Sequence, residues 1–422
     1  VRTSRPGRPA PFRALRLRNY RLFFTGQILS LIGTSTQNTA VAWIVLRQDD
    51  SALSLGLIVA LQFTPLLLLG AWAGAIADRS DKPRVLQLTN AIAALIALAT
   101  AVLVSSGHHS TPLLAVMALL SGCAGAFETP AVQSMAAELV PEADLPSAVG
   151  LNGAIMTSSR MVGTAVAGVL IATIGAPACL YLNAASFLAV LVAMQLLRRE
   201  ETFAVERAAG GRGQIRKGLR YALGEREVRL PLTALAVIGT LALNQPVTTP
   251  LLARITFQTG PALFATFGSA AAAGALLGTL TAASRRRADA ALIYRAALLF
   301  GVAALAVAFA PEPALVVPLL ALTSFAAATY VASTSTRLQR VADPAFRARV
   351  VALYAILFFG STPVGSVIVG AISQAWNPRV AIGFGGAVTI VTGLVMMRLT
   401  AGSDGTDPES AGTDTGADIV AK

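Results

Sequence analysis

Charge is what this 422-residue chain is shortest of: Asp, Glu, Lys and Arg make up 13% of it, against about 25% in a soluble domain. With 55% hydrophobic residues and a mean hydropathy of +0.67, folding in water would leave large apolar surfaces exposed. The composition therefore points to a polytopic all-α membrane protein. Cysteine and histidine are nearly absent. Cys123 and Cys179 fall inside apolar runs without metal or redox spacing and read as small core residues. His108 and His109 are neighbours in a short polar stretch with no companion ligands, so no metal site is expected. The only lysines are Lys82, Lys217 and Lys422, and none closes a phosphate-cradling glycine loop. The chain should carry no ATPase and no cofactor, and no nucleophile–base arrangement marks an enzyme. A net charge of +12 does not imply nucleic acid, because the basic residues come in bursts between apolar runs rather than interleaved with aromatics.

What the chain has in abundance is apolar runs of membrane-crossing length. After a basic segment, 1–21, twelve spans are expected at about 22–46, 53–77, 84–106, 112–137, 147–172, 177–197, 230–253, 262–283, 291–310, 314–337, 350–373 and 380–399. Each is long enough to cross a hydrocarbon core of about 30 Å. The first run is too long for a signal-peptide core and lacks a small-x-small exit. Lysine and arginine set the orientation: 29 of them fall on the side of the termini, three (Arg47, Arg254, Arg379) on the other, and Arg160 lies within a span. Both termini should be cytoplasmic. The arginine- and alanine-rich usage points to a bacterial inner membrane.

Residues 198–229 divide the spans into two sets of six, a bundle over 22–197 and another over 230–399. The divider carries a basic amphipathic stretch over 214–223, expected on the membrane surface. The acidic tail 400–422 should be disordered. The halves echo each other at a spacing of about 200 residues: Gly163-Thr-Ala-Val-Ala-Gly168 resembles Gly360-Ser-Thr-Pro-Val-Gly365. Such parallel repeats are the plan of a rocking transporter.

One charged break has a recognisable spacing: Gly74-Ala-Ile-Ala-Asp78-Arg79-Ser-Asp81-Lys82-Pro83-Arg84. With the topology, it resembles the loop 2–3 signature of the major facilitator superfamily, G-x-x-x-D-R-x-G-x-R-R. Gly74, Asp78, Arg79 and Arg84 match, whereas Asp81 and Pro83 depart. The run over 30–43, Pro130-Ala131 and Arg347-Ala-Arg-Val350 resemble the enterobactin-exporter-like and macrolide-efflux-like group, the transmembrane secretion effectors. The span-5 antiporter signature is partial, with Thr164 where proline should stand. The resemblance implies alternating access. It also implies that Asp78 meets the helix N-terminus of span 11, where the dipole favours an anion, while Arg79 and Arg84 bridge the bundles. The bland alternative is a topology signal alone, which suffices for Lys82.

Two ionisable residues inside spans ask for a reason, since each costs roughly 2.5–3.5 kcal/mol on insertion scales. Glu128 and Arg160 lie about 15 and 20 Å deep by helical rise, and their consecutive, antiparallel spans could bring them together. They read either as a static ion pair or as a coupling pair that exchanges with protons. A polar stripe in span 1 (Gln27, Ser30, Thr34, Gln37, Asn38) shares one helix face. With Asn244, Gln245, Tyr330 and Tyr354 it outlines a candidate substrate cavity, although helix–helix hydrogen bonding explains any single member. Pro246 and Pro250, beside Asn244 and Gln245, free backbone carbonyls in the seventh span. Trp43 reads as an interfacial anchor. The expected function is export of a small amphipathic molecule (a drug, antibiotic or siderophore-like metabolite) by a monomer in the lipid bilayer, coupled to protons. The alternatives are a sugar or nutrient importer and a non-transporting membrane sensor or assembly factor.

Overall fold

The computed structural model describes residues 13–203, 214–285 and 290–401. The expected disordered tail beyond residue 401, the first twelve residues and the arginines of 286–287 lie outside the described residues. A basic 3₁₀ turn, Arg13–Arg16, leads into α1 (Arg18–Asp49). Then follow α2 (Ala52–Arg79), α3 (Lys82–Ser105), α4 (Thr111–Glu138), α5 (Leu145–Thr173) and α6 (Ala176–Gln195). After the divider come α7 (Gln214–Gly224), α8 (Arg226–Leu241), α9 (Gln245–Leu251), α10 (Pro261–Ser284), α11 (Ala290–Phe309), α12 (Pro313–Val341), α13 (Arg347–Ala375) and α14 (Pro378–Ala401). Prolines place many of the starts. Pro83, Pro112, Pro146, Pro177, Pro246, Pro261 and Pro313 all occupy a first-turn position, where the missing N–H would have no helical acceptor.

Among the described residues, eleven of the spans are long and apolar enough to cross a membrane. They coincide with eleven of the twelve expected runs. The twelfth, α1, has 32 residues but carries the polar stripe, which lowers its hydropathy. The seventh span is broken: α8 stops at Leu241, α9 restarts at Gln245, and a π turn, Leu252–Thr256, completes the crossing.

In the first half, α1 packs on α5 and α6, α2 on α4, and α3 on α4 and α6. In the second, α10 and α11 pack on α12, α11 and α8 on α14, and α8 on α13. The halves meet through α2 on α13 and α5 on α10. One apolar core runs through both halves, joining buried residues of 40–46 and 55–59 to those of 247–253, Phe264 and Val369. These residues sit at the helix ends opposite the chain termini. The other core clusters each stay within one half. Cohesion between the halves is thus concentrated on the face away from the termini.

Small residues make that seam. A Cβ on Gly56 would lie 2.5 Å from the Ser366 carbonyl oxygen and 3.2 Å from the Gly370 Cα, so α2 and α13 touch backbone to backbone. Gly168 of α5 admits Ala265 of α10 in the same way. Beside them, Trp43 is 7% exposed. It packs edge-on to Phe264 at 5.2 Å, with the Arg254 guanidinium 5.9 Å from its ring. Trp43 is therefore a seam residue rather than an interfacial anchor. Arg254 also lies 3.7 Å from Asp50, and the Ala52 amide donates to Gln374 Oε1 at 2.8 Å.

The divider is fastened at both ends. Asn19 Nδ2 donates to the Arg198 carbonyl at 2.8 Å, and the Phe203 amide to the Glu138 carbonyl at 2.8 Å. In α7, Tyr221 stacks on Phe346 at 4.4 Å and accepts from the Asp343 amide at 3.0 Å.

Candidate functional site

A cavity of about 1360 Å³, counted out to its open side, lies between the halves. Helices α1, α2, α4 and α5 wall it from the first half, with Thr100 of α3 behind them, and α9 and α10 from the second. Its lining mixes apolar side chains such as Val41, Phe63, Met117 and Phe264 with the polar Gln37, Asn38, Gln62, Ser121, Thr164, Gln245 and Thr249. Four of these amides are pinned by three hydrogen bonds. Gln62 Nε2 donates to Asn38 Oδ1 at 3.1 Å, Asn183 Nδ2 to Gln37 Oε1 at 2.8 Å, and Gln245 Nε2 to Ser324 Oγ at 2.8 Å. Such fixed amides offer a ligand directional contacts within an otherwise apolar wall.

Of the expected cavity residues, Gln37, Asn38 and Gln245 line this space. The other six do not: Gln27 and Ser30 of the stripe are each 4% exposed. Thr34 is part-buried and donates to Asn183 Oδ1 at 3.4 Å. Asn244 is 1% exposed and donates to the Thr240 carbonyl at 2.7 Å within its own span. Tyr330 is fully buried in the core of the second half. Tyr354 donates to the Val331 carbonyl at 3.1 Å and stacks with Phe358. Both tyrosines serve helix packing, because a phenol's apolar body fits a core as well as a cavity.

Glu128 and Arg160 are not brought together. Glu128 Oε1 accepts from Asn90 Nδ2 of α3 at 3.2 Å, whereas Arg160 lines the cavity. The reason is topological: α4 packs chiefly on α2 and α3, and α5 on α1 and α10, so α4 and α5, though consecutive in the chain, are not close neighbours in space. Among the described residues the Arg160 side chain makes no ion pair.

The gating motif is likewise redistributed. Gly74 has open space where a Cβ would be. Asp78 stands in the last turn of α2, and its side chain lies outside the described residues. Arg79 is exposed at the C-terminus of α2. Arg84 pairs with Asp81 of its own loop at 3.2 Å, not with the other bundle. The halves are joined at the opposite face, which leaves the two bundles without a bridge through Arg84 on this one. Lys82, read as a mere topology signal, is instead 9% exposed and pairs with Glu138, tying the start of α3 to the end of α4. Asn90, Asn183 and Gln62 are functional neighbours that the sequence reading passes over. The signal that singles out Glu128, a polar side chain in an apolar span, applies to them equally.

A profile of the transmembrane secretion effector family matches residues 9–411. The multidrug efflux pump Tap of Mycolicibacterium fortuitum is 28% identical over 357 residues, covering 81% of this chain and 86% of Tap. The staphyloferrin A transporter of Staphylococcus aureus is 32% identical over 179 residues, 42% of this chain and 45% of that protein. In fold, the chain is similar to the crystal structure of the nucleoside transporter NupG, with a TM-score of 0.70 at 12% identity over 91% of this chain and 99% of that one.

Proposed function

The chain belongs to the transmembrane secretion effector family, and from that premise we propose that it exports a small amphipathic molecule by alternating access, driven by proton antiport. The observation that carries the proposal is the cavity itself, walled by both halves and backed by a seam on one face only. A binding site at the junction of two rigid bodies changes its exposure when they rock. The lining suits an amphipathic guest, and the likeness to a multidrug efflux pump supports the outward direction of traffic.

With 29 of the basic residues on the terminal side, the positive-inside rule supports cytoplasmic termini in a bacterial inner membrane. The seam then closes the outer face, and the cavity is loaded from the cytoplasm. Glu128 is the proton site in this reading. Its carboxyl is half-buried within α4 and held by Asn90, so protonation alters one hydrogen bond in the wall that also carries Met117 and Ser121 of the cavity. The same cavity would serve a nutrient importer, and it is the family and its efflux relatives that favour export; a sensor would leave the cavity without a role.

Inverted membrane vesicles holding the protein should, when energised, accumulate members of a panel of lipophilic drugs and siderophores and release protons as they do so. Net movement out of such vesicles would identify an importer. Movement of no compound, with or without a gradient, would overturn the transport reading.

A further inference from the structure

Among the described residues, the cavity lining carries one formal charge and no acid to balance it. Arg160, about midway along α5, is the only ionisable residue among those lining the space. Its side chain is exposed to that space rather than packed away, and among the described residues no carboxylate pairs with it. Glu128, the acid within the neighbouring span, is engaged by Asn90 outside the lining. A guanidinium stays protonated under all ordinary conditions, so the cavity keeps its positive charge through the cycle.

We infer that the transported molecule is an amphipathic organic anion, a carboxylate or a group of similar shape, seated with its anionic end on Arg160 and its apolar body against Val41, Phe63, Met117 and Phe264. The inference rests on the exporter reading and adds the substrate's charge to it. A single unbalanced cation in a low-dielectric cleft repels a cationic guest and attracts an anionic one. The guanidinium fork matches a carboxylate with two parallel hydrogen bonds. Gln37, Asn38 and Gln245 are neutral amides and leave that preference intact. An inorganic anion would satisfy the charge but not the apolar wall.

The test uses the full-length protein in lipid nanodiscs and three probes of one skeleton: 1-naphthylacetate, 1-naphthylacetamide and 1-(2-aminoethyl)naphthalene. Binding is measured by calorimetric titration. The carboxylate should bind at least about 10-fold more tightly than the amide, with the amine weakest, a ratio in keeping with one charge-assisted pair. Arg160→Gln should remove the preference of carboxylate over amide, and Arg160→Lys should keep most of it. Equal affinities for carboxylate and amide in the unmodified protein, no binding of the carboxylate, or a preference that survives in Arg160→Gln would each overturn the inference. So would full displacement of the carboxylate by an equal concentration of chloride, which would assign the cation to a small counter-anion. The wild-type comparison decides the matter even if a variant fails to fold. Failure of the exporter reading looks different: Arg160-dependent carboxylate binding without transport in vesicles removes export and leaves this inference standing, whereas efflux of amides and amines without carboxylate preference does the reverse.

Discussion

Replacing Gly56 by alanine should open the seam without unfolding the protein. The added Cβ would sit 2.5 Å from the Ser366 oxygen and 3.2 Å from the Gly370 Cα, so α2 and α13 must part by about 1 Å to restore ordinary contact. A gap of that size forfeits about a quarter to a half of the dispersion attraction between the facing surfaces. Overpacking of this kind costs roughly 1–3 kcal/mol. The cost falls only on the conformer in which the seam is joined, which shifts the balance toward the parted seam by about 5–150-fold. Alanine also favours the helix by about 1 kcal/mol over glycine, but that gain is common to both conformers and cancels from their ratio. The assay is a spin-label distance distribution between Gln48→Cys and Trp376→Cys, one on each half at the seam face, in a background lacking Cys123 and Cys179. Gly56→Ala should lengthen the distribution while the protein still folds, its melting temperature unchanged or modestly lower. Gly74→Ala is the control, since nothing lies within 4 Å of its new methyl. A Gly56→Ala distribution that superimposes on the parent would refute the reasoning.

Three further outcomes follow from particular contacts. Glu128→Gln should keep the protein in the membrane and retain the Asn90 contact while abolishing substrate-dependent proton movement in vesicles; undiminished proton movement would remove Glu128 from coupling. Lys82→Ala strands the Glu138 carboxylate and should lower stability by about 1.5–3 kcal/mol, read as a reduced melting temperature in detergent, with Glu138→Ala no worse alone than the double variant. Arg84→Gln breaks an exposed contact within its own loop and should change stability by at most about 1 kcal/mol and leave the spin-label distances unaltered.

The helices are legible because the chain writes them twice, once as apolar runs and again as prolines and charge at the breaks. Even the awkward seventh span is marked by Asn244, Pro246 and Pro250. Which side chains share a space is much less legible. A polar residue in a span says that it needs a partner but not which helix supplies it, so Glu128 looks as well suited to Arg160 as to Asn90, its actual partner. The stripe on α1 splits for a related reason. Gln37 and Thr34 both bond to Asn183 of α6, yet Gln37 lines the cavity with Asn38 and Thr34 does not, a difference that helical spacing does not reveal. The seam is the least visible part, because Gly56 and Gly370 look like ordinary glycines until α2 and α13 are set side by side.

The broken span has a mechanical consequence. Its middle piece, α9, is seven residues long, lies against α1 and α2 as well as α10 and α13, and contributes Gln245 and Thr249 to the cavity. On one side of it the chain leaves helical geometry at Ala242 and Asn244, and on the other it enters a π turn, so backbone torsion there is not held by a continuous ladder of hydrogen bonds. Asn244 Oδ1, Thr249 Oγ1 and Thr256 Oγ1 are buried without hydrogen-bond partners among the described residues, so no hydrogen bond through these atoms resists a small displacement of this stretch. The chamber is therefore built like a vise with one floating jaw: long helices hold the other walls, and α9 can settle against guests of unequal girth without either half having to deform.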